Sequence, residues 1–216
     1  MKRFIGILLV LMLILSAFSG CMKNGEETET AGGEITEEIT KETTKENDQE
    51  IESENKILLP FDEVLEFYFS SGAGAWGTEL YLEKDGSFNG SFHDSNMGEI
   101  GENNPNGTCY VCDFAGKFEI VEKIDEVSYK MTITEITTEK EEGEQWIEDG
   151  VLYVASTPYG LDGGTEFIFY TPGAETDNVK EEFLWWWPYR FEEEFPETLQ
   201  CYGIHNINTD DGFFTY

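Results

Sequence analysis

From Trp76 the chain alternates. Trp76, Thr78, Leu80 and Leu82 fall on one face, and Gly77, Glu79, Tyr81 and Glu83 on the other. This is the period of a strand with one side buried. Lys84-Asp85-Gly86 interrupts the pattern, after which Phe88, Gly90 and Phe92 alternate with Ser87, Asn89, Ser91 and His93. Residues opposed in an antiparallel pair point the same way, so the register can be worked out on paper. A two-residue Asp85-Gly86 turn would oppose Leu82 to Asn89, apolar to polar. A three-residue Lys84-Asp85-Gly86 loop opposes Leu82 to Phe88, Leu80 to Gly90 and Thr78 to Phe92, and leaves Glu83/Ser87, Tyr81/Asn89 and Gly77/His93 on the other face. The pattern therefore predicts a hairpin with a three-residue loop, a type I turn closed by Gly86 in the left-handed conformation.

The same reasoning extends both ways. Leu65, Phe67 and Phe69 alternate with Glu66, Tyr68 and Ser70, predicting a preceding strand. The small residues 70–75 join it to Trp76. Gly72 and Gly74 are followed by neither a helix nor a lysine, so they do not form a phosphate loop. Downstream, 109–113 and 117–122 read as strand with a bulge at Ala115-Gly116. Residues 126–136 alternate cleanly, a further strand begins at Trp146-Ile147, and 151–156 is short and apolar. Residues 165–171 are apolar on both faces, which marks a central strand, and 198–206 read as the last one. Asp177 or Asn178 caps a short helix over 179–187, limited by Pro188. Many short strands between Gly/Asn-rich turns predict an all-β fold: a single antiparallel barrel, or a strongly curved sheet or sandwich, of about eight strands, with the one short helix as a lid or plug.

The first residues do not belong to this fold. Lys2 and Arg3 precede an almost wholly apolar run, 4–18, and then Ser19-Gly20-Cys21. A basic start, a short apolar segment and small residues at its end make 1–20 a secretion signal. Residues 22–56 hold twelve acidic residues, no aromatics and three isoleucines. Such a segment cannot bury enough apolar surface to offset its ordering entropy, so 21–56 is expected to be a disordered tether spanning on the order of 30–35 Å. That leaves 57–216 as the β-rich domain. The formal charge of the whole chain is −32, and 57–216 carries seven basic against 33 acidic residues. Nucleic acid and anionic lipid surfaces both require Lys/Arg patches, so neither is a partner of this surface. Cationic partners and divalent ions are compatible with it.

Two resemblances add to this. The residues Ser19-Gly20-Cys21 resemble a lipobox, with Phe18 where that pattern usually has Leu. Phe69-Ser70-Ser71-Gly72-Ala73-Gly74-Ala75-Trp76-Gly77-Thr78-Glu79-Leu80, the run 85–99 (DGSFNGSFHDSNMGE) and Pro158-Tyr159-Gly160-Leu161-Asp162-Gly163-Gly164 resemble a group of uncharacterised surface lipoproteins of clostridial-type Gram-positive bacteria. That resemblance covers most of 61–206. It implies a diacylglyceryl thioether on Cys21, which would anchor the chain stably on the outer face of the cell membrane with the domain extracellular. Gly74-x-Trp76 opening a strand is also similar to the signature of lipocalin-like barrels.

Candidate chemistry is sparse. Trp185-Trp186-Trp187-Pro188-Tyr189-Arg190 is the most unusual stretch. Aromatic faces bind sugar rings, apolar ligands and cations. Arg190, the only arginine beyond the signal, either clamps a carboxylate or stacks on Trp76 to close the barrel, as an arginine does in lipocalin-like proteins. Equally, these aromatics could be core. Trp76, Trp185, Trp186, Trp187 and Arg190 are the candidate ligand-binding residues. Asp94, Asn96 and Glu99 offer oxygens for calcium, although their spacing is not that of a twelve-residue calcium loop and Asx turns explain them as well. His93 and His205, the only histidines, sit at strand ends, and no nucleophile elbow or HExxH motif is present. Beyond Cys21, three cysteines remain: Cys109, Cys112 and Cys201. Cys109 and Cys112 point to opposite faces of a strand, so they are not a redox or zinc half-site. An odd number allows one disulfide or none; if one forms, Cys201 pairs with one of the other two.

The resulting expectation is a lipid-anchored, non-catalytic binding module for a small apolar, aromatic or glycan ligand, with no cofactor unless calcium. The alternative is a structural or protein-interaction domain of the cell envelope without a pocket. A carboxylate-based glycan hydrolase is the third reading. A carrier needs a cavity lined by some of Trp76, Trp146 and 185–187; an interaction domain needs an exposed apolar patch or open sheet edge; a hydrolase needs two convergent carboxylates in a cleft.

Overall fold

The alternation predicted from Trp76 onward closes on itself. In the computed structural model, which describes residues 56–216, ten strands form one sheet: β1 (Leu65–Phe69), β2 (Trp76–Leu82), β3 (Ser87–Asn96), β4 (Thr108–Lys123), β5 (Ser128–Thr138), β6 (Gln145–Glu148), β7 (Val151–Ala155), β8 (Glu166–Tyr170), β9 (Gly203–Asn206) and β10 (Gly212–Phe214). Eight of them, β1-β2-β3-β4-β5-β8-β9-β10, follow one another around a ring that β10 closes on β1, every neighbouring pair antiparallel. The fold is all-β, an up-and-down barrel of eight strands. The β6–β7 hairpin is an excursion. It attaches in parallel to the first residues of β4, Thr108–Val111, beyond the point where β5 has left that strand. The signal, Cys21 and the tether lie outside the described residues.

The β2–β3 register is the one the hydrophobic pattern demands. Leu82 opposes Phe88, Leu80 opposes Gly90 and Thr78 opposes Phe92. Gly86 has φ +89° and its N–H donates to the Glu83 carbonyl. The Asp85 carboxylate accepts the Ser87 N–H and pairs with Lys117, which together hold it well below the ordinary carboxylate range. The two predicted strands on either side of Ala115-Gly116 are one continuous strand, β4, whose register shifts lie later, at Lys117/Phe118 and Ile120/Glu122. Bulges there bend the long strand so that it can serve both neighbours.

Inward-facing Phe67, Phe69, Leu80, Leu82, Phe88, Phe114, Phe118, Met131, Phe167, Phe169, Ile204 and Phe213 form one buried cluster. Eight strands enclose a lumen just wide enough for side chains to fill, and here phenylalanine fills it. Each end has its own cover. At one end Leu59 and Phe61 lie beneath β1, with Phe61 against Phe169 and Tyr202 (ring centroids 5.8 and 6.2 Å). The loop 158–164 closes the other end. Thr78 Oγ1 donates to the Tyr159 carbonyl (2.8 Å), Asn206 Nδ2 donates to the Gly160 carbonyl (2.9 Å), and Leu161 is buried.

Strand β8 is apolar on both faces, as expected for a central strand. Phe167 and Phe169 face the lumen; Ile168 and Tyr170 face a second cluster outside the barrel, built from Phe183, Leu184, Trp187, Leu199, Cys201 and Phe214. The predicted helix over 179–187 is only four residues long, α1 (Glu181–Leu184), with Lys180 rather than Asp177 or Asn178 at its N-cap; a 3-10 turn follows at Pro188–Phe191. It is neither lid nor plug. It lies against the outside of β9 and β10, where the Phe183 ring covers Gly203 and Gly212 so closely that a Cβ at either would collide with it. The predicted last strand, 198–206, shortens to β9, and β10 was not legible in the pattern.

Candidate functional site

Extending the β2–β3 register by one pair outward opposes Trp76 to Asp94, and β4 then sets Tyr110 opposite Asp94. Trp76, Asp94 and Tyr110 therefore make one row across three adjacent strands, on the face that leads into the lumen, with side chains in cross-strand contact distance. Two pairs deeper, on the same face, Phe92 forms the floor. Tyr159 reaches over from the end loop, its ring 5.3 Å from Trp76, 5.4 Å from Phe92 and 5.4 Å from Phe69. Together with Ser156 these residues line a cleft of about 470 Å³ at the barrel end. That size suits a small organic ligand.

The cleft is electronegative. Burial pushes the Tyr159 phenol above its ordinary pKa, and the negative charges of Asp211, Asp162 and Asp94 push it further. The Tyr110 phenol donates to Glu99 (3.2 Å) and is raised by that bond, then by the charges of Glu99 and Asp94. Among the described residues no Lys, Arg or His lines the cleft. Asp94 has no ion-pair partner among the described residues.

The three consecutive tryptophans go three ways. Trp187 is fully buried in the outer cluster, its indole beside the Cys201 thiol. Trp185 is 58% exposed and away from either cluster. Trp186 is the one that turns to the barrel end. It packs on Phe69 (4.7 Å) and Trp76 (6.1 Å), and its Nε1 donates to the Asp210 carbonyl (3.2 Å). Arg190 does not stack on Trp76; its guanidinium lies 4.5 Å from the centre of the neighbouring Phe191 ring. So of the expected ligand-binding residues only Trp76 lines the cleft, with Trp186 behind it. Trp146 is occupied, stacked on its cross-strand partner Tyr153 (5.3 Å, 10° between planes) with the Lys140 ammonium 4.8 Å from its ring centre.

Asn96 and Glu99 are engaged within the turn that follows β3. Asn96 Oδ1 accepts the Gly98 N–H (3.1 Å) in an Asx turn, while Glu99 accepts from Asn96 and Tyr110. Among the described residues no group of three or more His, Cys, Asp or Glu side chains is placed to hold a metal.

His205 is buried beside Asp210 (Nε2–Oδ1, 3.1 Å), under the Phe183 ring (4.7 Å, 26°). Asp210 is also bound by the Lys180 ammonium. Burial lowers the His205 pKa despite the carboxylate. His93 is exposed on the opposite face of β3 from Phe92 and Asp94. All three described cysteines are free, contrary to a Cys201 disulfide. Cys112 belongs to the lumen cluster and Cys201 to the outer one, with the barrel wall between them.

Phe92, Tyr110, Ser156 and Tyr159 had no signal as site residues. The Trp76/Asp94 pairing did: it follows from the hairpin register carried one step further. Comparison with protein-family models, curated proteins and solved structures returns no match. Fold and site thus define a class by geometry alone: an eight-stranded up-and-down barrel with a filled lumen and an aromatic, acidic cleft at one end.

Proposed function

We propose that this protein is a non-catalytic binding module that takes a small organic ligand in the end cleft. The row Trp76–Asp94–Tyr110 over Phe92 carries the reading, since it presents aromatic faces and an unpartnered carboxylate at an opening rather than in packed core. The ligand sits at the mouth and not in the lumen, because the lumen is occupied by phenylalanines. Two other grooves fit less well. One of about 720 Å³ runs beside Lys56, Lys117 and Glu119 with no exposed aromatic face, and a smaller one near Trp146 abuts a ring already covered by Lys140.

Lipid attachment through Cys21 would present this domain outside the cell, as the 1–21 pattern and the lipoprotein resemblance suggest. Mass spectrometry of the mature N-terminus tests it: a thioether-linked acyl species on Cys21 is expected, and an intact, unmodified leader refutes it.

Titration of the full chain with apolar, aromatic and glycan ligands tests the module. Binding to the folded state raises the melting temperature by mass action, and occupancy of the cleft shifts tryptophan emission. Both effects should be lost in Trp76→Leu. A panel with no effect would favour the interaction-domain reading, for which the open outer edge of β6 and the exposed Trp185, Phe191 and Phe195 are the relevant surface.

A further inference from the structure

The chemistry of the cleft narrows the ligand, given that the cleft is the binding site. A ring face carries the negative end of the aromatic quadrupole, so it attracts a cation and is indifferent or repellent to an anion. Here a half-buried carboxylate sits in the same row between two such rings. Tyr159 faces it from the loop, and among the described residues no basic side chain lines the cleft to neutralise it. Negative charge from Asp211, Asp162 and Glu99 reaches the same phenols. A bare metal ion would need several converging oxygens, and the cleft wall offers one carboxylate, Asp94. A strongly hydrated ammonium would lose water that rings cannot replace. An alkylated ammonium holds little water, keeps its charge, and offers methyl groups to pack on the rings.

We propose that the cleft selects small organic cations, an alkylated ammonium group held among Trp76, Tyr110 and Tyr159 with Asp94 as counter-ion, over neutral and anionic ligands of the same shape.

The test compares three probes of one shape on the full chain by tryptophan fluorescence: choline, its neutral carbon isostere 3,3-dimethylbutan-1-ol, and the anion 3,3-dimethylbutyrate. Choline should bind at least about tenfold tighter than the isostere, a gap within reach of a partly desolvated cation–π site with a counter-ion. The anion should not bind. Salt should weaken choline and leave the isostere unaffected. Asp94→Asn is close to isosteric and breaks no ion pair. It should keep the native circular dichroism spectrum and shrink the gap to under about threefold. Equal or tighter binding of the neutral isostere would overturn the cation preference while leaving the cleft as a ligand site. A cation preference unchanged in Asp94→Asn would overturn the counter-ion role. No saturable response to any probe, or a response untouched by Trp76→Leu, would overturn this inference; if the broad ligand panel is silent as well, the binding-module reading falls with it.

Discussion

Trp185, Trp186 and Trp187 are adjacent in the chain and differ in what surrounds them, so alanine substitution along the run is a sharp test of how the outer segment docks. Trp187 is fully buried against Leu199 and Cys201 in the outer cluster. Truncating a buried tryptophan costs about 3–5 kcal/mol through lost transfer free energy and the cavity left behind. Trp186 is half-buried, and it would lose one hydrogen bond of about 1 kcal/mol and aromatic contacts with Phe69 and Trp76 worth about 0.5–1.5 kcal/mol. Trp185 is mostly exposed, so its loss should stay within about 0.5 kcal/mol. For a domain of this size about 1 kcal/mol corresponds to about 2–4 °C. Trp187→Ala should therefore lower the melting temperature by roughly 6–20 °C, Trp186→Ala by roughly 3–10 °C and Trp185→Ala by less than about 2 °C. Thermal unfolding followed by near-UV circular dichroism reads all three. Equal losses at 185 and 187, or a larger loss at 185, would mean that the segment does not pack on β8–β10 through Phe183 and Trp187.

Gly86→Ala should destabilise by about 2 kcal/mol or more, since φ is +89° and the new Cβ would meet the Phe118 carbonyl; urea unfolding checks it, and a loss below about 0.5 kcal/mol would contradict the three-residue turn. His205 has its pKa lowered from 6.5 by burial, so the unfolded chain binds the proton more readily. Stability from this group is fully present above about pH 6.5 and declines as pH falls through the unfolded value toward the folded one. Unfolding free energies measured across that window should lose this slope in His205→Gln, and an unchanged slope would assign it elsewhere. Burial pushes the Cys112 and Cys201 thiols up to about 11, so a maleimide should modify half-exposed Cys109 in the native domain and reach the other two only on unfolding. Rapid labelling of Cys201 in the native state would contradict its place under Trp187.

Whatever depends on near neighbours could be read along the chain. Period-two alternation made the strands, and the requirement that opposed residues share a face set the β2–β3 register, and with it the Trp76/Asp94 pair. A strand apolar on both sides, 165–171, announced that something covers it outside. What the chain could not show was which surfaces meet across long separations. The three-residue β10 is too short to have a period, and it exists because β1 and β9 offer it hydrogen-bonding edges. The helix was expected at the barrel mouth because aromatic runs look alike whether they plug a lumen or coat a wall. Gly203 and Gly212, two gaps on the outer face, drew Phe183 to the wall. Tyr159 joins the cleft only because Thr78 and Asn206 hold its loop by two carbonyls. A hydrogen bond to backbone can be made by many residue types at many separations, so composition and spacing leave no mark of it, and the tertiary structure alone brought the fourth aromatic to the site.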